Sequence, residues 1–251
     1  MDAVLLGFII AAAIGLTGVG GGTITTPLLI LVLRMKGAVA VGTALTFAAI
    51  IKFLVVPVYI FRNQVSWKML GWMALGGVPG VIIGGRALVL VAKSVNSHVL
   101  YLILGITIMT AALLNVYRLL KASVDPERDP ERPKLLSAFM FPVGAEIGFS
   151  SAGSGALGSL ALMGLTRLTA AQVVGTDICF GLIVSIIGSG IQIVAGNYNG
   201  GVLVHLLEGG AVGAFIGGFA AQKIPSRPLK WALAVWLAAL GLQLFYRGIT
   251  A

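Results

Sequence analysis

Residues 15–27 read GLTGVGGGTITTP and interrupt an apolar run that extends from residue 3 to residue 33. As one straight helix this run would be about 46 Å long, whereas the hydrocarbon core of a bilayer is about 30 Å thick. Each glycine destabilises a helix interior by about 1 kcal/mol, so the three consecutive glycines at 20–22 are expected to unwind the run. The arms on either side are too short to cross a bilayer alone. The stretch therefore predicts a helix–turn–helix hairpin that enters and leaves the membrane on one side.

The composition of the chain is that of an integral membrane protein. Of its 251 residues, 58% are hydrophobic and 10% are charged, against about 25% charged in a typical soluble domain. This excludes a soluble enzyme and a disordered protein. The net charge of +9 comes mostly from Lys and Arg in short loops, where they act as orientation signals and do not form a nucleic-acid surface. Eight apolar runs fill the chain, near 3–33, 38–61, 66–92, 98–117, 136–166, 170–195, 201–222 and 229–246.

The second half of the chain repeats the first without a gap. Gly42-Thr43 recurs 133 residues later as Gly175-Thr176, and the same offset relates Phe47 to Phe180. We interpret this as a duplication, with a first membrane repeat at 1–117, a second at 135–251 and a charged linker at 118–134. Similar packing demands in unrelated helices are the alternative. The glycines related by this offset lie at 15, 20, 22, 76, 80 and 84, and again at 148, 153, 155, 209, 213 and 217.

The charge of the loops predicts how the repeats are oriented. If the first segment of each repeat is a re-entrant hairpin, eleven Lys and Arg residues lie on the side of the linker and five on the other side. The positive-inside rule favours this arrangement, with a cytoplasmic linker and external termini in the cell inner (plasma) membrane. Three crossings per repeat would invert the second repeat relative to the first. The predicted fold is an all-α integral membrane protein with two inverted repeats of four segments, an architecture of secondary transporters.

The two breaks are the strongest candidates for a binding site. The second break reads SSAGSG at 150–155, at the place that matches the first break. A helix that restarts after a break points free N–H groups at it, and such ends bind anions. The alternative is that the glycines only permit close packing. The predicted substrate-binding residues are Thr17, Gly18, Gly20, Gly21, Gly22, Thr23, Thr43, Lys52, Ser150, Ser151, Gly153, Ser154, Gly155 and Thr176.

Three charged residues lie inside apolar runs. Asp177 follows the second Gly-Thr pair, Glu146 stands four residues before the second break, and Lys52 lies within the second run. A charge within a membrane helix costs roughly 2.5–3.5 kcal/mol on insertion scales, so each is expected to have a partner or a function. Asp177 and Glu146 are candidates for coupling transport to a proton. Lys52 either neutralises an anionic substrate, pairs with Asp177 or Glu146, or snorkels to the membrane surface.

Other polar residues and glycines admit structural interpretations. The hydroxyls of the Gly-Thr pairs either bond a carbonyl four residues earlier or contribute to the site. Gln192, Asn197 and Asn199 are weaker candidates, and Arg86, His205 and Glu208 suit interfacial positions. His205 and Glu208 are three residues apart, but one His and one Glu without further ligands do not predict a metal site. No cofactor is expected. The stripes at 76, 80 and 84 and at 209, 213 and 217 favour close helix packing, within one chain or in a homodimer.

Several stretches resemble the sulfite-exporter (TauE/SafE-type) permease family. They are GLTGVGGGTITTPLL at 15–29, GFSSAGSGALGSL at 148–160, GTALTF at 42–47, GTDICF at 175–180 and GNYNGGVLVHLLEGGAVGAFIGG at 196–218. The resemblance implies alternating access without ATP, with export of a small sulfur-containing anion such as sulfite or an organosulfonate. An anion channel and a carrier of small carboxylates are the alternatives, while a membrane-embedded enzyme lacks an evident catalytic set. The implied partners are a small anionic substrate and the lipid bilayer.

Overall fold

The chain is helical throughout the described part of its computed structural model, which covers residues 2–17, 22–121, 131–152, 155, 157–220 and 226–250. These ranges contain ten helices and no strand. In chain order the helices are α1 (Ala3–Thr17), α2 (Gly22–Leu31), α3 (Gly37–Phe61), α4 (Trp67–Ser94), α5 (Ser97–Lys121), α6 (Pro133–Ser150), α7 (Leu157–Leu165), α8 (Ala170–Val194), α9 (Gly200–Ala220) and α10 (Ser226–Thr250).

The helix bounds follow the predicted segments closely. The two segments predicted to be broken are each a pair of helices, α1 with α2 and α6 with α7. The helix α8 begins where Thr169 caps it, in a reciprocal capping box with Gln172. At the two ends of the predicted linker, α5 continues to Lys121 and α6 starts at Pro133. Proline suits this first helical position, since its missing N–H would have no partner there.

Three of the described helices are long and apolar enough to cross a membrane, as judged by length and composition. They are α3, α4 and α8. Shorter apolar stretches within the described residues lie at Ala3–Ile14, His98–Leu114 and Gly200–Ile216. Together with the all-helical fold, these lengths agree with a membrane protein.

Close contacts at glycines show the relative direction of two pairs of helices. The helix α4 packs against α6, and α1 packs in the same manner against α9. Residue numbers rise together along both contacts, so the helices of each pair run parallel. The predicted glycine stripes therefore pack within the chain. The contacting pairs are Gly76 with Ser137, Gly80 with Phe141, and Gly84 with Ala145, then Gly209 with Val4 and Gly213 with Phe8.

Two further helix pairs run antiparallel. The helix α3 packs against α8, and α5 packs against α10. Residue numbers rise along one helix as they fall along its partner. The contacts that show this are Leu45 with Gly188 and Lys52 with Gly181 between α3 and α8, and Leu102 with Gly248 and Gly105 with Phe245 between α5 and α10.

We expect Gly80→Leu to destabilise the protein, because a side chain at this position would meet the backbone of Phe141 and Ala145. Overpacking of this kind typically costs about 1–3 kcal/mol. The matched control is Gly71→Leu in the same helix, where nothing lies within 4 Å of an added Cβ. The two Tm values in detergent check the prediction. Equal Tm values for both variants would contradict the close packing of α4 on α6.

Candidate functional site

The second break is a helical hairpin whose ends meet. The helix α6 ends at Ser150, and Ser151 turns the chain in a left-handed conformation with φ 61°. The backbone N–H of Arg132, before α6, donates to the carbonyl of Leu165, the last residue of α7, at 3.1 Å. Ser150 Oγ caps the end of α6, because it donates to the Glu146 carbonyl and accepts from the N–H of Ala152. The chain therefore returns along α7 to the level at which α6 began.

The second break lies against α2, the helix that follows the first break in the chain. The hydroxyl of Thr26 in α2, one turn after the first break, hydrogen-bonds the hydroxyl of Ser151 at 2.5 Å. Thr26 is fully buried and Ser151 nearly so. Ser151 was a predicted site residue, whereas Thr26 was not. The helix α2 therefore contributes a buried hydroxyl to the second break.

Asp177 is held by the helix that follows the second break. Its Oδ2 lies 2.7 Å from the hydroxyl of Ser159 in α7, and that hydroxyl also lies 2.8 Å from the carbonyl of Gly155. Gly158 packs directly on the other carboxylate oxygen of Asp177. Ser159 occupies the same position in the second repeat as Thr26 does in the first. In both repeats a buried hydroxyl one turn after the break therefore bonds a polar side chain from another segment, Ser151 in the first case and Asp177 in the second.

Lys52 lies at the crossing of α3 and α8. Its side chain is 7% exposed, and Nζ donates to Ser185 Oγ at 3.3 Å. Ser185 is the residue that corresponds to Lys52 in the second repeat. The same ammonium packs on Gly181 and interacts electrostatically with Asp177. Asp177, Gly181 and Ser185 are four residues apart, so they share one face of α8 and present it to Lys52.

Glu146 differs from the other two charged residues. Its Oε1 is buried and finds no hydrogen-bond partner within the described part of the chain. The sequence left open whether Lys52 pairs with Asp177 or with Glu146, and the structure places Lys52 against the face of α8 that also carries Asp177. Glu146 lies one turn before Ser150 at the second break and remains a candidate for coupling.

The Gly-Thr pairs lie at opposite ends of the crossing of α3 and α8. Thr43 Oγ1 accepts from the N–H of Asn199, just before α9, and donates to the Val39 carbonyl. Thr176 Oγ1 accepts from the N–H of Ser66, just before α4. These contacts are equivalent under the offset of 133 residues. In this structure both hydroxyls fasten one repeat to a loop of the other.

The remaining predicted residues fall into three groups. Gln192 bonds the Gly85 carbonyl and the Asn197 side chain at one end of α8. Arg86, His205 and Glu208 are exposed, and no group of three His, Cys, Asp or Glu side chains in the described residues could hold a metal. Outside the described residues lie Gly18, Gly20, Gly21, Gly153 and Ser154, together with the side chains of Thr17 and Thr23 and the surroundings of Gly22.

A lysine, an aspartate and several hydroxyls buried between the helices of an apolar protein are typical of membrane transport proteins. Comparison with known proteins agrees. The chain belongs to the sulfite exporter TauE/SafE family, whose pattern matches residues 3–244.

Two relatives from Bacillus subtilis (strain 168) match along their whole length. Probable membrane transporter protein YjnA is 29% identical over 252 residues, which cover 96% of this chain and 98% of YjnA. Probable membrane transporter protein YunE is 26% identical over 272 residues, which cover 98% of this chain and 97% of YunE. No solved structure matches the chain at a significant level. The family and these relatives support a role in membrane transport.

Proposed function

We propose that the protein is a secondary active transporter that exports small sulfur-containing anions, such as sulfite or organosulfonates, by alternating access. The observation that carries this proposal is the buried ammonium of Lys52, which bonds Ser185 and lies against the face of α8 that carries Asp177. Charged side chains inside apolar helices commonly mark substrate pathways, so the ammonium of Lys52 is suited to attract an anionic substrate. The sulfur chemistry and the direction come from the family to which the chain belongs.

The helix directions support an inverted repeat. In a chain of two inverted units, equivalent helices that pack on each other run antiparallel. The equivalent pairs α3 with α8 and α5 with α10 do so. The packing of α1 on α9 corresponds in the same way to the packing of α6 on α4. Such pseudo-symmetry allows two conformations of similar energy, each open to one side of the membrane.

The proposed topology places the loop after α3 and the linker in the cytoplasm. Lys68, near the start of α4, forms an exposed ion pair with Glu131 at 3.1 Å. This contact supports the placement of both segments on one side of the membrane. That side carries the larger number of basic residues, as the positive-inside rule requires of the cytoplasmic face. The hairpin of the first repeat then lies at the external face and that of the second repeat at the cytoplasmic face, and both termini are external.

The test is binding followed by flux with the purified full chain. We expect sulfite, thiosulfate or methanesulfonate to raise the Tm in detergent, since a ligand at 100 times its Kd stabilises by about 2.7 kcal/mol. Acetate and uncharged dimethyl sulfone are the controls. In proteoliposomes the bound anion should show saturable counterflow, whereas a channel would show none. If acetate raises the Tm and no sulfur anion does, the substrate is a small carboxylate. If none of the anions raises the Tm, the proposal is contradicted.

A further inference from the structure

The hydroxyl of Ser159 stands between two acceptors and has one proton to give. Its Oγ lies 2.7 Å from Asp177 Oδ2 and 2.8 Å from the carbonyl of Gly155. Asp177 is buried, 3% exposed, and Ser159 is equally buried. Within this triad the hydroxyl donates to one of the two oxygens at a time.

The protonation state of Asp177 decides which oxygen receives the hydroxyl proton. An ionised carboxylate only accepts, so Ser159 then donates to Oδ2. When Oδ2 carries a proton, that O–H donates to Ser159 Oγ, and the serine proton turns to the Gly155 carbonyl. One proton is gained, the Oδ2–H bond forms and no other covalent bond changes. The Gly155 carbonyl thus gains or loses a donor as Asp177 titrates.

The switch of the Ser159 hydroxyl between Asp177 and the Gly155 carbonyl affects the second break, because Gly155 belongs to it. Its φ is +95°, a backbone conformation that residues other than glycine rarely adopt, and it precedes the first turn of α7. When Ser159 donates to Gly155, the hydroxyl ties the turn of the hairpin to α7. When Ser159 donates to Asp177, it ties α7 to α8. We propose that Ser159 is a positioning residue that transmits the protonation of Asp177 to the second break.

The charged and titratable groups around Asp177 are few among the described elements. Lys52 of α3 interacts with it electrostatically, and Tyr59 of α3 contacts Gly175, two residues earlier in α8. The helix α6 also packs on α8 and carries Glu146, while Cys179 lies on α8 itself. From α4, Met73 contacts Gly158 beside the carboxylate. An anion drawn to Lys52 would compete with ionised Asp177 for the same cation, so anion binding favours the protonated state.

This inference rests on the proposed transport of anions. Its test distinguishes a failure of the inference about Ser159 from a failure of the proposed transport. The probes are methanesulfonate and thiosulfate, whose charges stay fixed between about pH 5 and 8, in contrast to sulfite. Counterflow in proteoliposomes and the Tm shift are measured across this pH range. The variants are Ser159→Ala, Ser159→Thr and Asp177→Asn. Threonine is the conservative choice, since Thr26 occupies the equivalent position in the first repeat.

We expect wild-type counterflow to vary several-fold with pH and Asp177→Asn to remove this dependence. Ser159→Ala should bind the anion within about twofold of wild type but flatten the pH profile of counterflow. Ser159→Thr should restore that profile. An unchanged profile in Ser159→Ala would overturn the inference, as would a Ser159→Thr protein that behaves like the alanine variant. Wild-type protein that exchanges neither probe at any pH would instead count against the proposed function.

Discussion

Lys52→Met is expected to weaken anion binding by roughly thirtyfold or more while the protein still folds. Methionine keeps the length and the apolar stem of the side chain, so contacts along α3 and with Gly181 are largely retained. The variant loses the buried positive charge that would balance the substrate. Removing one member of a buried, hydrogen-bonded charge pair costs about 2 kcal/mol or more, which is roughly thirtyfold in Kd. The measurement is the anion-dependent Tm shift, followed by counterflow in proteoliposomes.

A second variant separates substrate binding from simple charge balance. Lys52→Met alone leaves Asp177 without its opposite charge, which can destabilise the protein for reasons unrelated to the substrate. Lys52→Met with Asp177→Asn removes both charges and should recover the Tm measured without anion. If Lys52 binds the anion, this double variant still shows a much smaller anion-dependent Tm shift than wild type. A normal shift in the double variant would show that Lys52 serves only as the counter-ion of Asp177.

The sequence was sufficient to predict the helices and their breaks, because those depend on local properties. The apolar runs at 38–61 and 170–195 became α3 and α8 with bounds that differ by one residue at most. The breaks fall where several glycines and serines follow one another, since these residues weaken a helix regardless of its neighbours. The repeat offset was equally readable, because it needs only residue identities. All of these features require no knowledge of which helices touch.

The partners of the polar side chains required the three-dimensional arrangement. The sequence left open whether Thr43 has a structural role or a role in the site, and it did not predict that its hydroxyl accepts from the backbone N–H of Asn199, a residue 156 positions away. Such a contact depends on how α3 and α8 cross, and no local pattern encodes that crossing. Thr26 and Ser159 were missed for the same reason. A signal did exist, because the offset of 133 residues pairs them as hydroxyls one turn after each break.

Disulfide cross-links at the two Gly-Thr contacts are expected to stop transport. Thr43 fastens the start of α9 to α3, and Thr176 fastens the start of α4 to α8. These contacts lie at opposite ends of the crossing helices. A carrier that alternates between two open states must release one end at a time. Both hydrogen bonds are formed in this structure, so locking either one should prevent half of the cycle.

The experiment pairs Thr43→Cys with Asn199→Cys, and Ser66→Cys with Thr176→Cys. Each pair is introduced together with Cys179→Ala, which removes the one native cysteine of the chain. Oxidation should reduce counterflow to less than about a tenth of the reduced rate, because conformational exchange limits carriers of this kind. Reductant should restore it. The four single-cysteine variants, oxidised in parallel, control for damage by the oxidant.

The two cross-links are matched controls for each other, since the repeat offset relates their positions. Inhibition by both is what alternating access through pseudo-symmetric halves requires, because each end must open in turn. Inhibition by only one would mean that a single end moves, as in a gated channel with a fixed mouth. Full transport with both cross-links formed would show that these loops are static. In that case Thr43 and Thr176 are anchors of the fold, and the moving parts must be sought in the hairpins themselves.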